Sequence, residues 1–208
     1  MTLRGADDAW VVVYNTNRWE ASPDVPAGLR SELTRLTSVG ATIKTVALGA
    51  SDSWLVLHGT NGFTASEIPS AMFQRLLALQ NSGQILTGAA ISPTGAWVVL
   101  YGFNGWFAAG IPSGLASRFQ NLNSTLRLTG VALGANNSWF LRVGDNGYYA
   151  AGIASGMTTA LTTIQDFRYI ISSVALGRSG SYVVTYDKNG WYSNVTRAAG
   201  GRRGDPPK

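Results

Sequence analysis

An aromatic side chain follows an asparagine by two positions at five evenly spaced places in this chain. Flat aromatic faces stack on the C–H faces of sugar rings, and amides pair with sugar hydroxyls. Five equal sites would bind a glycan by avidity without any one being tight. The alternative is that each aromatic packs one strand onto its neighbour. The candidate binding residues are the aromatics Trp19, Phe63, Trp106, Tyr148 and Trp191 and the amides Asn17, Asn61, Asn104, Asn146 and Asn189.

Side chains suited to catalysis or to metal binding are sparse. The single histidine, His58, stands where other copies of the repeat have Tyr14, Tyr101 and Tyr186, which indicates a substituted tyrosine rather than a base. The chain has no cysteine, so a His and Cys metal site is absent. The carboxylates are scattered, and none of them is marked as part of a glycosidase pair. We therefore expect no enzyme activity, no metal and no cofactor.

A repeat of about 43 residues carries these candidates. Its leading aromatics, Trp10, Trp54, Trp97, Trp139 and Tyr182, are 44, 43, 42 and 43 residues apart. Such a period is typical of propellers, solenoids and arrays, whose units cannot bury their apolar face alone. We predict one repeat domain, residues 1–195, followed by a basic flexible tail, residues 196–208. The predicted units are about 1–42, 43–85, 86–127, 128–170 and 171–195.

Each unit is predicted to contain three strands. The first is short, rich in β-branched residues and ends at Gly or Ser-Pro, as in residues 43–49 and 171–177. The second, such as residues 97–101, is apolar at consecutive positions, which suits a strand covered on both faces. An Asn-Gly pair then predicts a hairpin turn, because both residues tolerate positive φ. The first copy has Asn17-Arg18 instead, so its turn must differ or carry strain.

A helix is predicted after the third strand of the first four units. Pro followed by a small residue opens a helix well, since its missing N–H would have no partner there. Apolar residues then recur at i, i+4 and i+7, which is one face of a helix about 11 residues long. The predicted faces are Leu29/Leu33/Leu36, Met72/Leu76/Leu79, Leu115/Phe119/Leu122 and Met157/Leu161/Ile164.

The predicted fold is mainly β with short helices, in five repeats of a three-stranded meander and a connecting helix. A five-bladed β-propeller and an open α/β repeat array both accommodate such units. An open array needs polar caps, but the strand at 10–14 is as apolar as any internal copy. This favours the propeller, with the leading residues Trp10, Trp54, Trp97 and Trp139 in the core.

The period, the Trp-led hairpin and the Val-Ala-Leu strand resemble the small lectin propellers of the tachylectin-2 and tectonin kind. Those families fill each blade with four strands, whereas this chain has a helix in the place of an outer strand. The units also resemble bacterial repeat proteins built on GWVVLYG-x-NGYW. The resemblance to the lectins implies a multivalent carbohydrate-binding module whose partners are glycans or glycoproteins.

Charge and hydropathy narrow the range of partners. The net charge is +5, and the tail contributes most of it through four cations against Asp205, so the repeat body is too weakly basic for a nucleic-acid groove. No apolar run approaches the roughly 18–20 residues of a membrane span. The first ten residues lack the apolar core of a signal peptide, and the absence of cysteine leaves the compartment open, with an extracellular location slightly favoured. The alternative function is a structural subunit that self-associates or joins a larger assembly.

Overall fold

The computed structural model describes residues 1–4, 7, 9–122 and 125–195. The predicted tail, residues 196–208, lies outside them. Over the described residues the chain is mainly β, with four short helices and five copies of a three-stranded antiparallel sheet. The repeat predicted from the sequence is therefore confirmed.

In every unit the middle strand pairs with the other two. The first strands are β1 (Thr2–Leu3), β4 (Ile43–Leu48), β7 (Leu86–Ile91), β10 (Leu128–Leu133) and β13 (Ile171–Leu176). The middle strands are β2 (Trp10–Tyr14), β5 (Trp54–His58), β8 (Trp97–Tyr101), β11 (Trp139–Val143) and β14 (Tyr182–Tyr186). The third strands are β3 (Arg18–Ala21), β6 (Gly62–Ser66), β9 (Gly105–Ala109), β12 (Gly147–Ala151) and β15 (Gly190–Ser193). A short 3-10 helix, Arg178–Gly180, precedes β14.

The hairpin between the middle and third strands is present, but its predicted mechanism was wrong. Positive φ falls on the first loop residue, at 55° for Gly59 and 58° for Gly102, and not on the Asn-Gly pair. The glycine of that pair begins the third strand, opposite the last residue of the middle strand. A Cβ on Gly105 would lie 2.5 Å from the ring of Tyr101, so this position must be glycine because of the ring across from it.

The first hairpin differs, as its sequence predicts. Arg18 lies opposite Tyr14 where the other units have glycine, and the Tyr14 ring is exposed. Two consecutive loop residues, Asn15 and Thr16, have φ of 47° and 69°. The side chain of Arg18 therefore accompanies a changed loop and a displaced tyrosine.

A helix follows the third strand of units one to four. The helices are α1 (Ala27–Ser38), α2 (Ser70–Asn81), α3 (Ser113–Asn121) and α4 (Ser155–Asp166). A proline directly precedes the first three, with φ between −51° and −55°. The predicted buried faces are confirmed in α1, α2 and α4. In α3 only Leu115 and Phe119 are buried, because the helix ends before Leu122, which is extended and half-buried.

Each helix fills the space between its own unit and the next. The cluster between units two and three, for example, joins Leu55 of β5, Leu76 of α2 and Val99 of β8. The same arrangement holds at the 1/2, 3/4 and 4/5 junctions, where ten or eleven buried residues pack together. Trp54, Trp97 and Trp139 are buried in these clusters, as predicted.

The first strands lie beside one another across the units. β1 contacts β4, β4 contacts β7, β7 contacts β10, and β10 contacts β13. β13 in turn contacts β1, and the Met1 ammonium donates a 3.3 Å hydrogen bond to Ser173 Oγ. We call the contact between units five and one the 5/1 junction; among the described residues its buried cluster consists of Leu3, Ala175 and Val183. Trp10 belongs to this junction and is only half-buried, so its predicted place in the core was wrong.

Candidate functional site

The five candidate aromatics lie on the third strands, one per unit, and no two share a site. Four of them are half-buried and pack against the cluster of the following junction; only Trp191 is exposed. Trp106 stacks on Phe119 of α3 with ring centroids 4.7 Å apart and planes at 14°. Phe63 meets Phe73 of α2 edge-on at 5.7 Å. The four half-buried aromatics are Trp19, Phe63, Trp106 and Tyr148.

Two of the five candidate asparagines hold the hairpin loop to the end of the helix. Asn61 Nδ2 donates to the carbonyl of Gln80 over 3.2 Å. Asn146 Nδ2 donates to the carbonyl of Tyr169 over 2.7 Å, and its Oδ1 accepts from the Ile171 N–H at 2.9 Å. Asn17 and Asn104 are half-buried in their loops, and Asn189 is exposed. The contacts at Asn61 and Asn146 are those expected of residues that pack and tie the repeat.

His58 is placed among polar neighbours that suit a structural role. Its Nε2 lies 3.3 Å from Thr64 Oγ1, which donates to Glu32 over 2.8 Å. The pKa of His58 is lowered, mainly by burial. The charge of Glu32 raises this pKa and the charge of Arg35 lowers it, but burial has the larger effect. Burial therefore favours the neutral form of His58.

Among the described residues, no three His, Cys, Asp or Glu side chains are grouped to hold a metal ion. Nor does the described part of the chain contain a helix with the length and apolarity to cross a membrane. These two findings concern only the described ranges.

The 5/1 junction exposes side chains whose counterparts are covered elsewhere. We call the set Trp10, Val12, Tyr14 and Trp191 the 5/1 surface. Tyr14 and Trp191 are each 40% exposed, and the other two are half-buried. The residues equivalent to Val12 at the other junctions, such as Val56 and Val99, are fully buried.

These side chains are uncovered because the described residues place no helix at the 5/1 junction. In the described part of the chain, each of the other four junctions is filled by a helix. Residues 196–208, which follow β15, contain no Leu, Ile, Met or aromatic residue. This stretch therefore has no i, i+4, i+7 pattern of large apolar residues like those within 29–36 and 72–79. The sequence showed four helical patterns for five units. It did not show which side chains would be exposed as a result.

A central cavity of about 630 Å³ lies among the first strands of all five units. Because β1 has two residues where the other first strands have six, part of the wall is formed instead by Tyr14, Asn15 and Thr16. The charged side chains that line it are Lys44, Arg127 and Arg142; Met1 with its ammonium also lines it, and the lining contains no Asp or Glu. In the sequence, Arg142 could have been singled out because it is a charged residue inside an otherwise apolar middle strand.

No protein-family model matches this sequence, and no curated protein matches it either. The geometry of the 5/1 surface and of the central cavity is therefore the basis of the proposals below.

Proposed function

We propose that this chain is a non-catalytic protein-binding module, which takes up one helix of a partner protein at the 5/1 junction. The observation that carries the proposal is the exposure of Tyr14 and of Trp191 at the 5/1 junction, where the described residues place no helix. Burying apolar area of this kind is worth roughly 25 cal/mol per Å². Exposed aromatics that are rimmed by polar residues mark interaction sites.

The chain itself supplies the template for the occupant. At four junctions the space is filled by an amphipathic helix, with buried apolar residues at i and i+4 in all four and at i+7 in α1, α2 and α4. An amphipathic helix laid in an apolar groove is also a recurrent mode of protein recognition. The proposed partner segment therefore has the same pattern of apolar residues.

Charge adds a second requirement for the partner helix. The residue three positions after the first apolar one contacts the third strand of the next unit: Arg75 lies 4.5 Å over the ring of Phe107, and Arg118 lies 4.5 Å over that of Tyr149. The equivalent strand position in unit one is Glu20, which is exposed. A partner helix with Lys or Arg at this position would pair with that carboxylate.

A graft tests whether the junction accepts such a helix. Residues 67–83, which contain α2 and Arg75, replace residues 196–208 at the end of the chain. Occupation of the junction is expected to raise the melting temperature by several degrees, since about 1 kcal/mol shifts Tm by 2–4 °C at this size. It is also expected to shift the fluorescence of Trp191 towards that of a buried indole.

Two matched grafts serve as controls. The graft with Leu76→Asp loses the apolar face and should behave like the untouched protein. The graft with Arg75→Glu keeps the face but opposes Glu20, so it should give a smaller rise in Tm. Equal melting temperatures for all three grafts and the untouched protein would count against helix uptake at this junction.

We further propose that the five units close into a five-bladed propeller. The support is the chain of first-strand contacts that leads from β1 to β13 and back to β1. Because the chain has no cysteine, the variant Thr2→Cys with Ser173→Cys gives a clean test. A closed propeller should form an intramolecular cross-link with a short bifunctional reagent, absent in either single variant. An open array would leave the pair unlinked.

Carbohydrate binding is the second candidate, and the exposed Trp191 is the observation that favours it. Its indole follows the exposed Asn189 by two positions, which is the arrangement suited to sugar stacking. A glycan array with the protein and with Trp106→Ala and Trp191→Ala tests this. Selective binding that weakens in both variants supports a multivalent lectin, loss in Trp191→Ala alone supports one site, and a blank array removes the candidate.

A further inference from the structure

One end of the central cavity has an uncompensated positive charge. Lys44 and Arg127 lie at or just before the start of their first strands, and Arg142 reaches the start of β13. All three line the same cavity, whose lining contains no carboxylate among the described residues. The ion pairs that the described residues form, Arg4–Asp7 and Arg35–Glu32, do not involve them.

Arg142 is held in place by the backbone of two units. Its Nε donates to Thr129 Oγ1 over 2.9 Å, and its terminal nitrogens donate to the carbonyls of Thr129, Ile171 and Ser172. Four of the five N–H donors of the guanidinium are thus used, and its charge meets only neutral groups. In units two and three the equivalent residues are Leu57 and Leu100, both fully buried. A cation at this position is therefore not required for packing.

Lys44 is also positioned across a junction between units. Its Nζ donates to the carbonyls of Thr60 at 2.5 Å and of Leu86 at 3.1 Å, which leaves one N–H. Burial lowers the pKa of Lys44, and burial followed by the nearby Arg127 lowers that of Arg142. A lowered pKa is expected for a cation that is removed from water without an opposite charge beside it.

We infer that the central cavity binds a small, multiply charged oxyanion, with carboxylate or phosphate groups, between Lys44, Arg127 and Arg142. Arg and Lys bind such oxygens through charge-assisted hydrogen bonds, and Arg142 and Lys44 each have one N–H left to donate. The volume of about 630 Å³ is within the range of small-molecule sites, and it is too confined for a nucleic-acid groove. Thr45 also lines the wall and carries a hydroxyl suited to a remaining ligand oxygen.

The test is calorimetric titration of the full chain with sodium citrate and, separately, with sodium pyrophosphate at low ionic strength. We expect one anion per chain for at least one probe, and the stronger probe identifies the carboxylate or phosphate class. Because both Lys44 and Arg127 are exposed, Lys44→Gln and Arg127→Gln should fold and bind about tenfold more weakly. Arg142→Leu restores the residue type of units two and three and should weaken binding at least as much.

The control is Arg118→Gln, which removes an exposed cation from the outer surface, over the ring of Tyr149. Its affinity should equal that of the unchanged protein. Absence of heat for both probes at about 10 mM would overturn the inference. So would equal affinities of all four variants, since that result would mean general attraction of anions to a basic chain. Melting curves of each variant verify that the fold is intact.

Discussion

The glycine that begins the third strand is the residue on which the hairpin depends most directly. Because a Cβ on Gly105 would meet the Tyr101 ring at 2.5 Å, Gly105→Ala must displace that ring. Overpacking of this kind costs about 1–3 kcal/mol. Gly28→Ala in α1 is the matched control, since its Cβ would lie 3.6 Å from Trp54 and alanine favours a helix. Urea unfolding should show a loss for the first variant and none for the second; equal effects would contradict this role of the ring.

His58 makes the stability of the protein depend on pH. Burial lowers its pKa in the folded state, so below about pH 6.5 the unfolded chain binds more protons and folding is weakened. The contribution is fully present above that pH and is lost as the pH falls. The pKa of Glu32 is also lowered, chiefly because its carboxylate accepts a hydrogen bond from Arg35. The stability that Glu32 contributes is therefore lost only as the pH falls below about 4.5.

The measurement is the free energy of unfolding between pH 5 and pH 7 for the protein and for His58→Tyr. Tyr101 and Tyr186 occupy the equivalent place in other units, so the substitution suits the site. It should flatten the pH dependence in this window. An unchanged slope would mean that another group titrates there.

In units two and three the aromatic residue of the third strand contacts a ring of the helix that follows it. Trp106 is half-buried and stacks on Phe119, whereas Trp191 has no described helix to stack on. Trp106→Ala should cost about 2–3 kcal/mol, less than a fully buried Trp, and Trp191→Ala about 1 kcal/mol or less. Chemical unfolding measures both. Similar losses would show that Trp191 is packed as tightly as Trp106.

Strands and helices could be predicted from the sequence because they depend on periodicities within one unit. The hairpin φ angles could not, since they depend on which ring lies across from Gly105 and which loop residue turns first. That Trp10 is only half-buried could not be predicted either, because the residues that would cover it come from the other end of the chain. For the candidate site, the aromatic residues could be identified in the sequence, but the contacts of Phe63 and Trp106 with helices of the same unit could not.

At the scale of the whole molecule, the five junctions are unequal. The 1/2 junction has α1 and also Arg4, which is buried and donates to the carbonyl of Ser51 across the junction at 2.6 Å. The 5/1 junction has three buried residues and no described helix. Opening free energies follow local burial, so the 5/1 junction should open first.

Native-state hydrogen exchange tests this order. The amides of β1 and β2 should exchange faster than those of β7 and β8, which lie between two helix-filled junctions. The graft of residues 67–83 in place of the tail should slow β1 and β2 and leave β7 and β8 unchanged. Uniform protection in the ungrafted protein would mean that the 5/1 junction is as strong as the four junctions that hold a described helix. Faster exchange that the graft fails to slow would place the weakness in the short β1 itself, which pairs with β2 only at Thr2 and Leu3.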